Sequence, residues 1–178
     1  MTPQLWLGGL WAVVVLQRLT ELRLAKRNEA WARGRGAVEY GAGHYPVFFV
    51  LHTGWLLAWP LEAWLTGPQL ATGFIGWLAM FAAAEMLRYW AITSLGRRWN
   101  TRILVLQGLP LVRRGPYRVI PHPNYLAVIL ELAALPLAFG AYWTAAVVGA
   151  LNLVVLLAIR IPAERRALDA AARATPSS

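Results

Sequence analysis

Two short polar clusters, each containing a proline, interrupt an otherwise apolar chain. The first is His122-Pro123-Asn124-Tyr125, and the second is the Arg-Ile-Pro-Ala-Glu segment from Arg160 to Glu164. Proline suits the first turn of a helix, so a helix that begins at Pro123 would direct its free amides and its dipole at a carboxylate or phosphate. Arg160 and Glu164 are four residues apart and face one way on a helix. This spacing alone favours a salt bridge, and the alternative is that each contacts a ligand.

Charged residues also occur inside the apolar segments. Arg18 and Glu21 are three residues apart, as are Glu85 and Arg88. Charges in such segments are commonly functional, so two interpretations stay open: mutual neutralisation near the membrane surface, or contact with a substrate. Glu131 has no basic residue one turn away on its own helix, so it must find a partner on another element or stay protonated.

The elements that position these residues are apolar helices. The chain of 178 residues is 58% hydrophobic and contains ten Trp. Its five apolar segments are long enough, or nearly so, to cross a bilayer, and they cover residues 4–24, 45–66, 72–95, 123–140 and 142–161. The first is expected to continue along the membrane surface, and the short fourth to form a tight hairpin with the fifth. The sequence therefore predicts an all-α integral membrane protein with about five transmembrane helices.

The basic residues predict how the helices are oriented. All 17 Lys and Arg residues lie after the first segment, between the third and fourth, after the fifth, or at the helix ends that face these regions. Lys and Arg accumulate on the cytoplasmic side of short loops. We therefore expect a multi-pass protein of the cell (inner) membrane, with its N-terminus outside and its C-terminus in the cytoplasm.

Composition excludes several other classes of protein. The chain has no cysteine, which excludes disulfides, thiolate nucleophiles and cysteine metal sites. The net charge of +9 is explained by topology and by attraction to anionic lipids, and without a soluble basic face or a binding module it does not indicate nucleic acid. His52 is interpreted as a packed, hydrogen-bonded histidine.

Local composition predicts the structure of the segments outside the apolar helices. The glycine-rich residues 34–46 are predicted to form a flexible turn, and the run 103–106 a short extended element or hairpin at the membrane face. We expect residues 1–169 to form a single transmembrane domain, followed by a disordered tail at 170–178.

The segment GPYRVIPHPNY, preceded by LPLV and followed about 35 residues later by Arg-x-x-x-Glu, resembles the isoprenylcysteine carboxyl methyltransferase family. Members are integral-membrane enzymes that depend on S-adenosylmethionine. The stretches EYGAGHYPVFFVLHTGW, RYWAITSLGRRWNT and RIPAERRAL extend the resemblance over most of the chain. The chain is most similar to the bacterial branch associated with type III polyketide synthases, whose members O-methylate alkylpyrones.

The resemblance implies that S-adenosylmethionine is enclosed on the cytoplasmic side by a loop region and the last two helices. It assigns Glu164 to cofactor binding and Arg160 to the substrate, as the catalytic residue. The other implied cofactor contacts are Leu109, Leu111 and Val112, which line the pocket, Tyr117, which contacts the adenosyl part, and His122, Pro123, Asn124 and Tyr125, which hold the methionine end. The chain departs from the family pattern at Pro121, where arginine is usual and Arg118 is the expected substitute, and at Arg165, where a second glutamate is common.

Methyl transfer from a sulfonium to an oxygen is an in-line displacement. Alignment and exclusion of water can contribute about 7–11 kcal/mol to it. No strong base is needed if the accepting oxygen is acidic, as in a carboxylate or a pyrone enol. We therefore expect O-methylation of such an oxygen on a lipophilic small molecule that enters from the membrane lipids, in possible association with a type III polyketide synthase pathway.

Three alternatives stay open. A phospholipid N-methyltransferase would use the same cofactor but would need a base to remove a proton from an ammonium. An NADPH-dependent membrane reductase would need basic contacts to a 2′-phosphate, which Arg113, Arg114 and Arg118 could provide. A non-enzymatic membrane scaffold gives no reason for polar clusters to converge at two helix ends.

Overall fold

The computed structural model describes residues 2–173 and is built mainly from helices. Prolines mark several helix starts, because Pro3, Pro46 and Pro123 each occupy a first-turn position where a missing N–H costs nothing. The main elements in chain order are α1 (Pro3–Arg33), β1 (Val38–Tyr40), α2 (Tyr45–Leu65), α3 (Phe74–Leu95), β2 (Ile103–Val105), α4 (Pro123–Ala138), α5 (Tyr142–Val155) and α6 (Ile161–Arg173). The predicted helical segments are therefore present.

Two helical stretches of the described chain are long and apolar enough to cross a membrane, judged by length and composition. They are Pro3–Arg33 and Tyr142–Arg173, while Pro123–Ala138 is a shorter apolar helix. Large apolar side chains such as Val50, Ile75 and Trp143 are exposed, as expected of a surface that contacts lipid. The number of five membrane spans stays a prediction.

The apolar core lies between α1, α2, α3 and α4, and Val148 of α5 packs against it. Trp55 and Trp59 of α2 are almost fully buried, and Trp59 stacks on Phe139 with ring centroids 5.6 Å apart. The Trp55 indole donates a hydrogen bond of 3.1 Å to the Leu132 carbonyl of α4. These contacts hold α2 against α4. The first turn of α4 carries Pro123, Asn124 and Tyr125 of the first polar cluster.

The turn between α4 and α5 forms the predicted tight hairpin. Gly140 has a positive φ of 72°, and the Ala141 amide donates to the Pro136 carbonyl at 2.8 Å. The carboxylate of Glu62 accepts hydrogen bonds from the Trp143 and Thr144 amides at the start of α5, where a negative charge is stabilised by the helix dipole. The hairpin is thus held at its closed end by α2.

A two-stranded antiparallel sheet corrects the prediction of a purely helical protein. Val38 of β1 pairs with Val105 of β2, and the extended run predicted at 103–106 is present at Ile103–Val105. The prediction of a flexible turn over 34–46 was wrong for β1. Strand formation there depends on a partner some 65 residues away and on Glu39, which accepts hydrogen bonds from Arg33 and Arg102, so the local pattern could not reveal it.

The loop between β2 and α4 is anchored to the end of α3. A short 3₁₀-helix covers Gly115–Arg118, and Gly115 has a φ of 58°, which favours glycine. A Cβ atom at this position would lie 1.9 Å from Ser94 Oγ. The Arg114 side chain also donates to the Ser94 carbonyl at 2.8 Å, so the loop approaches α3 closely and is fixed there.

The last helix is continuous but contains a widened turn. A π-helical turn covers Leu156–Arg160 and connects α5 to α6. Pro162 follows two residues later; it cannot donate the usual hydrogen bond to the carbonyl four residues back, which accounts for the irregularity.

Helix α6 extends to Arg173, so residues 170–173 are helical and the boundary predicted at 170 was wrong there. Buried alanines at 163, 167 and 171 give α6 its packed face, and residues 174–178 lie outside the described part of the chain.

Candidate active site

A cavity of about 780 Å³ joins the polar clusters to the apolar interior. Its polar end includes Asn100, Thr101 and the side chains of the two sequence clusters. Its apolar wall is formed by side chains of several helices, namely Val15, Leu19, Leu22, Phe49, Leu56, Val128, Leu132 and Leu156. The cavity can therefore accommodate a ligand that has both a polar and an apolar part.

The two predicted clusters meet at the hydroxyl group of Tyr125. Arg160 Nε donates to this oxygen at 3.1 Å, and the hydroxyl donates to Glu164 Oε2 at 2.6 Å. The structure thus answers the question left open by the four-residue spacing of Arg160 and Glu164. Within the described residues the two are connected through Tyr125 rather than by a direct ion pair.

His122 packs beside this chain of hydrogen bonds. Its ring stacks on Tyr125 with centroids 5.3 Å apart and an interplanar angle of 16°. Its Nδ1 atom lies 3.5 Å from Glu164 Oε2. The carboxylate of Glu164 therefore faces a phenol and an imidazole, both carried by the start of α4.

The Arg160 guanidinium is buried, with 7% of the residue exposed. Its Nη2 atom donates to the Thr101 carbonyl at 2.8 Å, and its Cζ lies 5.4 Å from the centroid of the Phe48 ring. A charge so far removed from water needs counter-charges or hydrogen-bond acceptors. A neutral hydroxyl and a carbonyl satisfy only part of its donor capacity, which leaves this cation suited to an anionic ligand in the cavity.

Nine of the ten predicted site residues line the cavity. They are Leu109, Leu111, Val112, Tyr117, His122, Asn124, Tyr125, Arg160 and Glu164. Pro123 is not among the lining residues; it is fully buried in the first turn of α4. Arg118, the expected substitute for the family's arginine, is exposed and is not among the lining residues, and its role in holding the turn stays a prediction.

The start of α4 offers fewer free amides than its sequence suggested. The Tyr125 and Leu126 amides donate to the His122 carbonyl at 3.1 and 3.2 Å, and Pro123 has no amide hydrogen. The helix terminus therefore has fewer donors to offer an anion. The side chain of Asn124 offers an acceptor instead, because its Oδ1 atom is buried without a hydrogen-bond partner among the described residues and the residue lines the cavity.

Tyr117 projects from the loop toward the same carboxylate. Burial raises the pKa of the Tyr117 phenol well above its ordinary value, and the nearby Glu164 carboxylate raises it further. Tyr117 therefore stays protonated near neutral pH. It can donate a hydrogen bond to a ligand but cannot act as a base.

A buried ionic cluster forms a different part of the cavity wall. Glu131 accepts hydrogen bonds from Arg18 of α1 and from Arg88 of α3, with Arg18 Nη2 and Arg88 Nε both at 2.8 Å. Of the two predictions for Glu131, the one that it finds a partner on another element is confirmed. Arg18 also binds Glu21 at 2.6 Å, so charges from α1, α3 and α4 neutralise one another.

Among the cavity residues that sequence reasoning missed are Thr101 and Asn152. Thr101 contributes a backbone carbonyl, which carries no sequence signal, and its Oγ1 shares a hydrogen bond of 3.3 Å with the Tyr45 hydroxyl. Asn152 lies in the run Leu-Asn-Leu-Val-Val. A single amide side chain in an apolar helix was a signal that could have identified it.

The family model described as "Isoprenylcysteine carboxyl methyltransferase (ICMT) family" matches residues 77–170, which include both polar clusters. The chain belongs to this family. It is also similar to the uncharacterized protein YpbQ of Bacillus subtilis, with 40% identity over 158 residues that cover 89% of this chain and 94% of the relative. An uncharacterized protein of Haemophilus influenzae is 29% identical over 167 residues, covering 93% and 96%. No solved structure matches significantly.

Membership of the ICMT family implies a membrane methyltransferase. The matched region contains the last part of the bundle, the loop and both polar clusters, so the cavity lies largely within the family's shared segment. Family membership therefore confirms, at the level of the family, the predictions of a methyltransferase and of a membrane protein. Neither relative has a described activity that would narrow the substrate.

Proposed function

We propose that this ICMT-family protein transfers a methyl group from S-adenosylmethionine to an acidic oxygen, a pyrone enol or a carboxylate, on a lipophilic acceptor. The observation that carries the proposal is the buried Arg160 guanidinium in a cavity whose walls continue into the apolar helix bundle. A cation there attracts an ionised oxygen, and the apolar walls accept its tail.

The residues at the polar end fit the cofactor's amino-acid part. Glu164 and the unpartnered Asn124 Oδ1 are hydrogen-bond acceptors suited to an ammonium group, and Tyr117 and His122 provide flat surfaces and polar atoms beside them. When bound, S-adenosylmethionine supplies an electrophilic methyl group on a positively charged sulfur. Leu109, Leu111 and Val112 of the loop would enclose its remaining parts.

The protein's own contribution is positioning. Arg160 holds the acceptor's oxyanion, and the Tyr125 hydroxyl fixes the guanidinium through Nε while it orients Glu164. Enclosure by the loop excludes water, which strengthens these interactions. An acidic oxygen arrives ionised, so the reaction needs no strong base, in agreement with a protonated Tyr117.

The acceptor would enter from the lipid, and the cofactor from the cytoplasm. This arrangement assumes five membrane spans, the N-terminus outside and the loop before α4 in the cytoplasm, as the distribution of basic residues predicts. Supply of an alkylpyrone by a type III polyketide synthase would fit such an acceptor. Phospholipid N-methylation fits less well, because Arg160 would repel an ammonium.

Purified protein in detergent, given methyl-labelled S-adenosylmethionine, tests the proposal directly. Three acceptors are compared: a long-chain 4-hydroxy-2-pyrone, a prenylated cysteine, and a lipid extract from the host cell. Label in an O-methyl product of the pyrone or of a carboxylate supports the proposal. Label in a phospholipid amine would establish N-methylation instead, and binding of NADPH without S-adenosylmethionine would establish a reductase.

A further inference from the structure

Asn152 carries a buried side-chain amide near the end of α5. The residue is 1% exposed, and neither Nδ2 nor Oδ1 has a hydrogen-bond partner among the described residues. It also lines the cavity that contains Arg160. Burial of an unpaired polar group destabilises a folded protein, so this side chain has a reason to be there other than packing.

The other buried polar side chain of α5 shows the contrast. Thr144 is 6% exposed, and its Oγ1 and amide both donate to Glu62 Oε2, at 2.6 and 2.8 Å. The fold therefore satisfies a buried polar group on this helix where it is structural. Asn152 differs because no described residue satisfies its amide group, although the residue lines the cavity.

Asn152 precedes Arg160 by eight residues on one continuous helix, which corresponds to roughly 12 Å along the axis at about 1.5 Å per residue. The widened turn Leu156–Arg160 lies between them, and both side chains line the cavity. Helical side chains lean toward the N-terminus, which is the direction in which Asn152 lies from Arg160. A ligand held by Arg160 would extend past Asn152 on its way into the apolar bundle.

We propose that Asn152 binds a second oxygen of the methyl acceptor's head group, distinct from the oxygen that is methylated. This inference rests on the proposed function and narrows its substrate class. The amide Nδ2 donates to a carbonyl or ring oxygen on the tail side of the head group, and Oδ1 accepts from a hydroxyl or N–H where the acceptor has one. A hydroxypyrone with an alkyl tail fits this description, whereas a fatty acid, whose only oxygens belong to its carboxylate, does not.

The first test needs no acceptor. Asn152→Leu keeps the approximate shape of the side chain and removes both unpaired groups, so its melting temperature in detergent should equal or exceed that of the wild type. The matched control Thr144→Val removes a satisfied hydrogen bond on the same helix and should melt lower. An Asn152→Leu variant that melts as low as the control would mean that Asn152 is structural and would overturn the inference.

The second test compares two acceptors of equal tail length, a 4-hydroxy-2-pyrone and a fatty acid. With the pyrone, Asn152→Leu should lose the ligand-induced rise in melting temperature, and kcat/KM should fall about 10- to 100-fold while S-adenosylmethionine affinity is unchanged. The fatty acid should respond equally to both proteins. Unchanged pyrone kinetics, equal losses with both acceptors, or failure of the wild type to bind the pyrone would overturn the inference alone. Failure of the wild type to bind S-adenosylmethionine would overturn the proposed function as well.

Discussion

Arg160 and Glu164 are joined by one hydroxyl group, because Tyr125 accepts from Arg160 Nε at 3.1 Å and donates to Glu164 Oε2 at 2.6 Å. The cation and the anion face one cavity without cancelling each other in a direct ion pair. Each can therefore serve a different ligand, the anion the cofactor and the cation the acceptor. Variants of Tyr125, Arg160 and Glu164 test whether the two groups have these separate roles.

Tyr125→Phe removes the connecting hydroxyl and little else. Glu164 and Arg160 each lose a charge-assisted hydrogen bond, and such a bond contributes about 1.5–3 kcal/mol. We expect kcat/KM to fall about 10- to 100-fold. Tyr142→Phe, at an exposed tyrosine of α5, is the control for loss of a phenol hydroxyl. Wild-type kinetics in Tyr125→Phe would show that the hydroxyl has no positioning role.

Arg160→Ala should abolish most catalytic efficiency while it leaves S-adenosylmethionine affinity nearly intact, because in the proposed function the guanidinium holds the acceptor's oxyanion. Arg160→Lys should recover only part of the activity, since a point charge cannot reproduce the planar fork that meets Tyr125 and the Thr101 carbonyl. Calorimetry beside initial rates measures both quantities, with the exposed Arg166→Ala as control. Equal losses of cofactor affinity and rate would make Arg160 structural.

Glu164→Gln and His122→Ala should each weaken S-adenosylmethionine binding by about 1–3 kcal/mol, as expected when a partner is removed from a buried polar group. The two side chains lie 3.5 Å apart at the polar end of the cavity, so both would contact the same part of the cofactor. Asp169→Asn, at an exposed acid one turn further along α6, is the matched control for loss of a carboxylate. Unchanged affinity in both site variants would contradict the assignment.

Local sequence signals were sufficient for the helices and for the helix ends that carry the two polar clusters. The sequence indicates which helix ends carry polar groups, through Pro123, the apolar runs and the Arg-x-x-x-Glu spacing. In the structure these helix ends line one cavity. What they could not provide was the contact made by each side chain. The Tyr125 bridge depends on the rotation of α4 relative to the last helix, which is a tertiary property.

Pairings between distant segments were the main omission. Strand β1 forms because β2 and Arg102 satisfy its backbone and Glu39, and neither partner is near it in sequence. In the same way the sequence required a partner for Glu131 without indicating Arg18 on α1 and Arg88 on α3. Non-local contacts of this kind leave no periodic pattern in the sequence.

Reporter fusions test the orientation on which access to the site depends. Because all 17 basic residues fall on one side of the predicted spans, a fusion at Gly67 should report the outside, and fusions at Gln107 and after Ser178 the cytoplasm. Accessibility of the same positions to a membrane-impermeant label is the independent check. An outside signal at Gln107 would remove the cytoplasmic cofactor site.

The ionic cluster around Glu131 distinguishes the two interpretations left open for the charged residues of the helices. If the cluster is structural, Glu131→Leu leaves Arg18 and Arg88 without their shared acceptor, and breaking a buried pair costs about 3–5 kcal/mol. The melting temperature in detergent should then fall sharply. Arg88→Met should do the same, and the double variant should lose less than the sum of the two, because each change removes the same contact.

A substrate role predicts the opposite outcome, since Arg18, Arg88 and Glu131 also line the cavity. Glu131→Leu would then fold with nearly normal stability but raise the KM for the acceptor. We expect the structural result, because Glu131 is 2% exposed and already accepts hydrogen bonds from two guanidinium groups, which leaves it little capacity for a ligand. Glu29→Gln, which breaks a more exposed pair with Arg33, controls for loss of a surface ion pair and should change the melting temperature far less. Normal stability together with a raised KM in Glu131→Leu would place the acceptor's path along this cluster.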